Sequence, residues 1–479
     1  MDTLIYTTAL GLFCMIAEVM NLRKIMIPVI LFGLAAIFCV NLTDWNHSAD
    51  VVVYGINMSH MVKTDNFSVA FGGLSIFLAA LIFLLASDYY KNEQNHLSDY
   101  LSILLFILCG ALILVSFSNM AMLFLGIEIV SISLYIMAGS RTSDVRSNEA
   151  GFKYFLMGSF ASGFLLLGIA LIYGTSVSFN VDKISAYAFS SNVSPLFYLG
   201  MLLIMMAMLF KVAAVPFHFW SPDVYEGSPV LITALMSTMV KIAVFAAFYR
   251  LLQSCFTGTF DYAEPVLAIV TAATIILGNV VALSQNNFKR LLAYSGISHA
   301  GYMLLALMSL RTGSSSALFY YGTGYTLATL GAFALAIPVF AAMRSENIEA
   351  FNGLGEKNPL IAALLTMSML SLAGIPPFAG FLGKYYIFSE AVKNGHITLT
   401  LIAIINSMIG VYYYLKIVLA MYTKPANEWL HKDKYPMPGQ GLPLIEPIVE
   451  LKFWLTGTLC VALAIAFGIY PDALMNLLN

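Results

Sequence analysis

Charge is what this chain lacks. Of its 479 residues only 10% are Asp, Glu, Lys or Arg, while 60% are hydrophobic. A soluble protein carries roughly 25% charged residues, so the deficit excludes a soluble globular protein and leaves a polytopic membrane protein. The net charge of -2 offers no basic surface for nucleic acid. Polar stretches are scarce as well: the longest, 43–68 and 423–452, are too short to bury a core of their own. Cysteine is sparse and scattered. Cys14, Cys39, Cys109, Cys255 and Cys460 stand apart with no Cys-x-x-Cys among them, which argues against zinc or iron–sulfur ligation. No glycine-rich nucleotide fingerprint exists either, because GTGYTL from Gly322 lacks the third glycine and lies in an apolar span. The N-terminal segment has no basic start and no cleavage site, so it reads as a retained first helix. These absences point to a chain without a redox cofactor or metal.

Apolar runs are what the chain has in abundance. A spanning helix needs about 20 apolar residues, and fourteen segments qualify: 3–20, 25–42, 68–87, 101–117, 120–139, 152–174, 195–219, 228–252, 263–285, 291–310, 316–343, 359–391, 397–421 and 453–470. An even number puts both termini on one side. With that side outside, the inner loops hold Arg23, Lys24, Lys91, Arg141, Arg146, Lys289, Arg290, Arg344, Lys357, Lys424, Lys432, Lys434 and Lys452. The outer loops and helix ends hold only Lys63, Lys183, Arg250, Arg311 and Lys393. That asymmetry obeys the positive-inside rule and predicts both termini on the outer side.

Two of the segments are interrupted by proline. LFKVAAVPFHFW breaks at Pro216 and frees the carbonyl of Val212; LSLAGIPPF breaks at Pro376 and Pro377 and frees those of Leu372 and Ala373. The tracts VAAVPF and LAGIPPF start 160 residues apart, and segments four to eight map onto nine to thirteen. Five helices per block is an odd number, so the second block is inverted relative to the first. Inverted repeats with paired broken helices point to a transport site. The expected architecture is therefore an all-α integral membrane protein of about 14 transmembrane helices. Its units are a three-helix segment at 1–100, five-helix repeats at 101–252 and 263–421, and a loop with a last helix at 422–479.

A charge at the bilayer centre costs roughly 2.5 kcal/mol or more and marks ion pathways. Lys241, in LMSTMVKIAVFAAFY, sits mid-segment, beyond rescue by snorkelling. Lys384 in GFLGKYY lies in the outer half of a broken helix. Lys211 lies five residues before Pro216, where snorkelling toward WSPDVYEG competes with a functional role. Glu128, in LGIEIVS, needs a cation, and Lys211 is the natural candidate. Such a pair about 4 Å apart interacts by roughly 4 kcal/mol at an effective dielectric of 20, enough to decide whether the lysine holds its proton. His218 and His299 are weaker candidates, since a histidine near a helix end or among Ser295, Ser298 and Tyr302 is often a packing residue. Lys153 and Lys416 stand near the inner edge, where they serve as well for anchoring; Glu18 reads as interfacial. The many aromatic and methionine residues read as packing or lipid-facing. The row of charges suits proton relay without metal or covalent chemistry.

The stretch PFHFWSPDVYEGSPVLITALMSTMVKIAVFAAFYR resembles the antiporter-like membrane subunits of respiratory complex I, the proton-translocating NADH:quinone oxidoreductase. NNFKRLLAYSGISHAGYML and LSLAGIPPFAGFLGKYYIF carry the same resemblance, which covers essentially the whole chain. The PDVYEGSP form is that of the N-type members, relatives of mitochondrial subunit 2, and not of the L and M types. The resemblance implies fourteen helices with two inverted bundles and a polar axis in the membrane plane. It assigns Glu128 and Lys211 to an ion pair, Lys241 to the central lysine, Lys384 to the exit-side lysine and Lys153 to a further lysine. It implies a bacterial inner-membrane location and partner subunits of the membrane and peripheral arms, which bind NADH, FMN, iron–sulfur clusters and quinone. Subunits of a multi-subunit cation/proton antiporter or a membrane-bound hydrogenase are the nearest alternative. A stand-alone solute transporter lacks support, since no span offers a substrate-sized polar cluster.

Overall fold

The computed structural model describes residues 2–20, 22–46, 52–53, 56–90, 96–310, 313–423 and 450–478. Lys91, Arg311, Lys424, Lys432 and Lys434, and with them most of the expected 422–452 loop, lie outside the described residues. Among the described residues, twelve helices are long and apolar enough to cross a membrane. The other two of the fourteen expected spans are the broken ones.

In chain order the helices are α1 Asp2–Val19, α2 Arg23–Thr43, α3 Asn66–Tyr89, α4 Leu97–Ser116, α5 Met120–Ala138, α6 Val145–Ser176 and the short surface helix α7 Val181–Ala188. The first broken span follows as α8 Pro195–Lys211 and α9 Trp220–Gly227. Next come α10 Val230–Leu235, a π-turn Met236–Val240 and α11 Lys241–Cys255, which together form one span. The chain continues with α12 Phe260–Ala282, α13 Phe288–Met308, α14 Ser314–Met343 and the single turn α15 Leu354–Lys357. The second broken span is α16 Pro359–Ala373 with α17 Ala379–Lys393, before α18 Ile397–Tyr422 and α19 Leu451–Ile469. A minimal antiparallel pairing of Val52–Val53 with Ile56–Asn57 joins α2 to α3.

Helix starts are written into the sequence by polar residues just before the apolar runs. Asn119, Asp144, Asn180, Ser194, Asn287 and Asn358 each accept a hydrogen bond from a first-turn amide, with Pro195 and Pro359 following two of them. Asp65 and Ser68 form a reciprocal capping box at α3. The neighbour pattern repeats along the chain. α4 packs on α5 and α11 as α12 packs on α13 and α18, and α6 packs on α8 as α14 packs on α16 and α17.

The two breaks are built alike. Ala213 at φ 60° and Gly374 at φ 84° occupy the left-handed region. The next amide then reaches back five residues, Ala214 to Leu209 at 2.9 Å and Ile375 to Leu370 at 3.0 Å. The peptides Val215–Pro216 and Pro376–Pro377 are both cis. The structural counterpart of Pro216 is thus Pro377, one residue beyond the 160-residue register of the sequence tracts. The two breaks align residue for residue from Leu209 and Leu370 onward, with Pro376 standing where the first break has Val215.

Several charges expected in inner loops are fixed inside the fold. Lys289 is 2% exposed and pairs with Glu346 at 2.9 Å. Arg290 contacts Asp223 and Glu226, each at 2.9 Å. The acids missing from this segment's own sequence are supplied by neighbouring elements.

Candidate functional site

Glu128 lies on α5 between Leu125 and Ile132, which are 46% and 53% exposed, so its helix face looks outward. Its Oε1 is nonetheless buried without a hydrogen-bond partner. The expected ion pair with Lys211 does not form. Lys211 Nζ donates to Ser131 Oγ at 2.8 Å, one turn further along α5, and lies 6.0 Å from the centre of the Tyr135 ring. The serine and tyrosine on the adjoining turns meet the ammonium first. Glu128 acts on Lys211 only through space.

The break beside Lys211 is closed by side chains. Trp220 donates its indole N–H to the Phe210 carbonyl at 3.0 Å, and the amide of Val215 donates to Thr274 Oγ1 of α12 at 3.0 Å. His218 lies in this break with its ring 4.3 Å from Phe219 and its Nδ1 buried without a partner. It hydrogen-bonds none of the candidate lysines. Lys153 is also apart from them. It bridges Glu149 at 2.8 Å and Asp223 at 2.9 Å, and Arg290 contacts the other oxygen of Asp223.

The structure brings Lys241, His299 and Lys384 together along one face of α13. Lys241 Nζ donates to the Gly296 carbonyl at 2.7 Å. Three residues on, His299 contacts the Tyr321 hydroxyl through Nδ1 at 2.5 Å and the Tyr414 hydroxyl through Nε2 at 2.9 Å. Three further on, the Tyr302 ring faces Lys384 Nζ at 5.5 Å. Residues 296, 299 and 302 follow helical spacing, so they share a face. Lys384 donates to the carbonyls of Leu372 at 3.2 Å and Ala373 at 2.8 Å. These are the two acceptors that the proline pair frees.

Sequence reasoning missed two parts of this site. The first is the π-turn that opens just before Lys241. Thr238 and Ser237 both donate back to the Ala234 carbonyl, at 2.6 and 3.1 Å, and such back-bonding loosens a helix. The Ser-Thr pair in LMSTMVK was the available signal. The second is the set of buried phenols. Tyr302, Tyr321, Tyr325 and Tyr414 are hydrogen-bonded or ring partners of the relay candidates rather than plain packing. Tyr414 also contacts Ser295, while Asn279 links Tyr302 and Tyr413 at 3.1 Å each.

Neutral imidazole has one donor and one acceptor nitrogen. Of the two phenols on His299, one therefore donates and the other accepts. A proton arriving on one side of the ring can leave from the other.

The profile of a family described as NADH:quinone oxidoreductase/Mrp antiporter, TM, matches residues 117–410. NADH-quinone oxidoreductase subunit N of Flavobacterium psychrophilum is 42% identical over 478 residues, covering 100% of both chains. The subunit N of Cytophaga hutchinsonii is 42% identical over 100% of this chain and 99% of its own. Among solved structures, a chain of respiratory complex I from Thermus thermophilus is 30% identical with a TM-score of 0.79, covering 99% of this chain and 98% of that one. A chain of the Mrp complex from Dietzia has a TM-score of 0.83 at 20% identity, with coverage of 99% and 95%, and shares the fold.

Proposed function

The chain belongs to the NADH:quinone oxidoreductase/Mrp antiporter family of membrane subunits, and from that premise we propose a route by which it moves protons. It is a complex I subunit of the N type, translocating protons within the membrane arm. Its driving force is NADH oxidation and quinone reduction in other subunits, which are its partners. Full-length identity of 42% to subunits N favours this over a cation/proton antiporter subunit, where the likeness is one of fold. In our reading the chain itself is non-redox, and FMN, iron–sulfur clusters and quinone are held by partner subunits. We place it in a bacterial inner membrane with both termini outside, and we assign the repeats to 101–252 and 263–421.

The observation that carries the route is the shared face of α13. Lys241 gives its proton toward His299, whose two hydrogen-bonded nitrogens let it accept on one side and release on the other. Lys384, beside Tyr302 one turn further, receives the proton and serves the outer-side exit. Its ammonium rests on the Leu372 and Ala373 carbonyls, so the broken helix is a polar seat for the charge. Lys211 feeds Lys241, and the charge of Glu128, acting through space, biases whether Lys211 holds its proton. Lys153 and His218 stand outside this line: Lys153 steadies α9 through Asp223, and His218 remains a secondary candidate inside the first break.

Lys241→Ala tests the route. In the assembled complex reconstituted into vesicles, NADH-driven pH-gradient formation through this subunit should be lost while assembly persists. Normal pumping in that variant would sink the relay. Dependence of the gradient on sodium in place of NADH would favour the antiporter alternative.

A further inference from the structure

A cavity of about 960 Å³ opens where α9 ends, α13 begins and α14 ends, and the relay described above makes no use of it. Glu226, Ser228, Lys289, Arg344 and Glu346 are among its lining residues. In the orientation adopted above, which this inference rests on, it faces the inner side. Lys289 closes its floor. Its Nζ donates to the Ser228 carbonyl at 2.8 Å and pairs with Glu346 at 2.9 Å. The charged groups around it are Glu346 after α14, Glu226 on α9 and Arg141 between α5 and α6. Arg290, next along α13, is engaged by Asp223 and Glu226.

A tract of buried hydroxyls leads from that floor toward Lys241. Ser221 and Tyr225 share one face of α9, with Ser228 just past its end, and Tyr325 and Thr329 share one face of α14, by helical spacing. The Ser221 hydroxyl interacts with the Tyr225 phenol and the Thr329 hydroxyl with the Tyr325 phenol, while the Ser228 hydroxyl is buried without a hydrogen-bond partner. Buried polar groups are nearly always bonded, so the Ser228 exception calls for an explanation. Tyr225 and Tyr325, both buried, are within electrostatic range of each other. The Tyr325 ring centre lies 5.8 Å from Lys241 Nζ. A methyl placed on Gly296 would meet Lys241 Nζ at 2.9 Å and the Tyr325 hydroxyl at 3.3 Å, so phenol and ammonium are neighbours.

We propose that Lys289 is the inner-side proton-loading group, taking a proton in this cavity and passing it through Tyr225 and Tyr325 to Lys241. The proton that enters on Lys289 Nζ ends on Lys241 Nζ. Each hydroxyl between accepts one proton and releases one, so none is changed. Glu346 holds the lysine over the tract and keeps its charge balanced while it waits.

The test compares Lys289→Met and Lys289→Arg in the assembled complex, with Lys241→Ala as reference, by NADH-driven pH-gradient formation in vesicles. Arginine keeps the charge and the pair with Glu346 but does not release a proton. Both Lys289 variants should slow proton delivery by roughly 10²-fold, the scale of losing a positioned proton-transfer group. Acidifying the inner side should restore Lys289→Met, because protons then reach the hydroxyl tract directly. Normal coupling in Lys289→Arg overturns the proposal by showing that the charge alone suffices. A loss in both variants that acidification leaves untouched also overturns it, since that marks a packing defect. If only the Lys289 variants pump normally, the loading group falls and the Lys241 relay stands; if Lys241→Ala pumps as well, both fall.

Discussion

Gly296 and Gly374 each leave room for one lysine ammonium. A Cβ on Gly296 would lie 2.9 Å from Lys241 Nζ, and one on Gly374 would lie 3.0 Å from Lys384 Nζ. Gly296→Ala should therefore push Lys241 off the Gly296 carbonyl and lower NADH-driven pumping, although no titratable group is removed. Gly163, which has open space around its Cβ position, provides the control, and Gly163→Ala should pump normally. Equal pumping by both would show that the Lys241 contact is dispensable. Gly374→Ala should be the worse substitution of that pair, because it adds the left-handed backbone, about 1–2 kcal/mol for a residue with a Cβ, to the displaced Lys384. At this scale the lysines were legible because a charge in an apolar run has few structural explanations. Their partners were not. Twenty-six tyrosines are spread through the chain, and nothing in the spacing marks Tyr321 and Tyr414 as the two that converge on His299. Likewise, the choice of Ser131 over Glu128 as the contact of Lys211 depends on how α8 is turned against α5, which a sequence pattern does not fix.

The element that the sequence hid is the π-turn at Met236–Val240. One extra residue in a turn rotates everything after it by about 100°, and this is what aims Lys241 at α13. Thr238→Val removes the shorter of the two side-chain bonds to Ala234 while keeping the shape. The turn should then relax toward an α-helix, swing Lys241 away from Gly296 and reduce pumping; a structure of the variant checks the rotation directly. The broken helices, by contrast, were legible, because proline in an apolar span has one mechanical consequence. What proline does not reveal is where the freed carbonyls find donors, and Lys384 turned out to be one. At the other end of α11, Arg250 pairs with Asp65, the cap of α3, at 2.6 Å, and this joint carries a pH signature. Burial alone would raise the Asp65 carboxyl, but the charge and hydrogen bond of Arg250 outweigh it and lower the group below its ordinary value of 3.8. A carboxyl lowered in the folded state contributes stability that is full above the unfolded value and lost as pH falls through the folded one. Thermal stability should therefore decline below about pH 4, and Asp65→Asn should flatten that decline. The same variant should cost about 3 kcal/mol at neutral pH by leaving Arg250 buried and unpaired.

For the whole molecule, alternation of apolar runs was enough to read fourteen spans, and paired prolines were enough to read a repeat, because lipid leaves the backbone few choices. Orientation rests on a different kind of argument, a count of loop cations, and the fold removes some of that count's force. Lys289 and Arg290 sit in ion pairs, and such residues are held by the fold whichever way the chain is inserted. Arg141, Arg146 and Arg344 remain on the same side by helix direction, whereas Arg250 on the opposite side is 6% exposed. Among the described residues Lys357 joins these exposed cations, while Lys63, Lys183 and Lys393 are exposed on the other face, so the imbalance narrows to four against three and still favours inside for the cavity end. A membrane-impermeant thiol reagent decides the matter. With Cys39, the one exposed native cysteine, replaced by serine, Asp2→Cys should be labelled from the outer side of intact cells. Ser143→Cys, in the exposed turn before α6, should be labelled only in inverted vesicles. The reverse pattern would turn the route around: Lys289 would then stand at the exit, and Lys384 would load the protons that Lys241 receives.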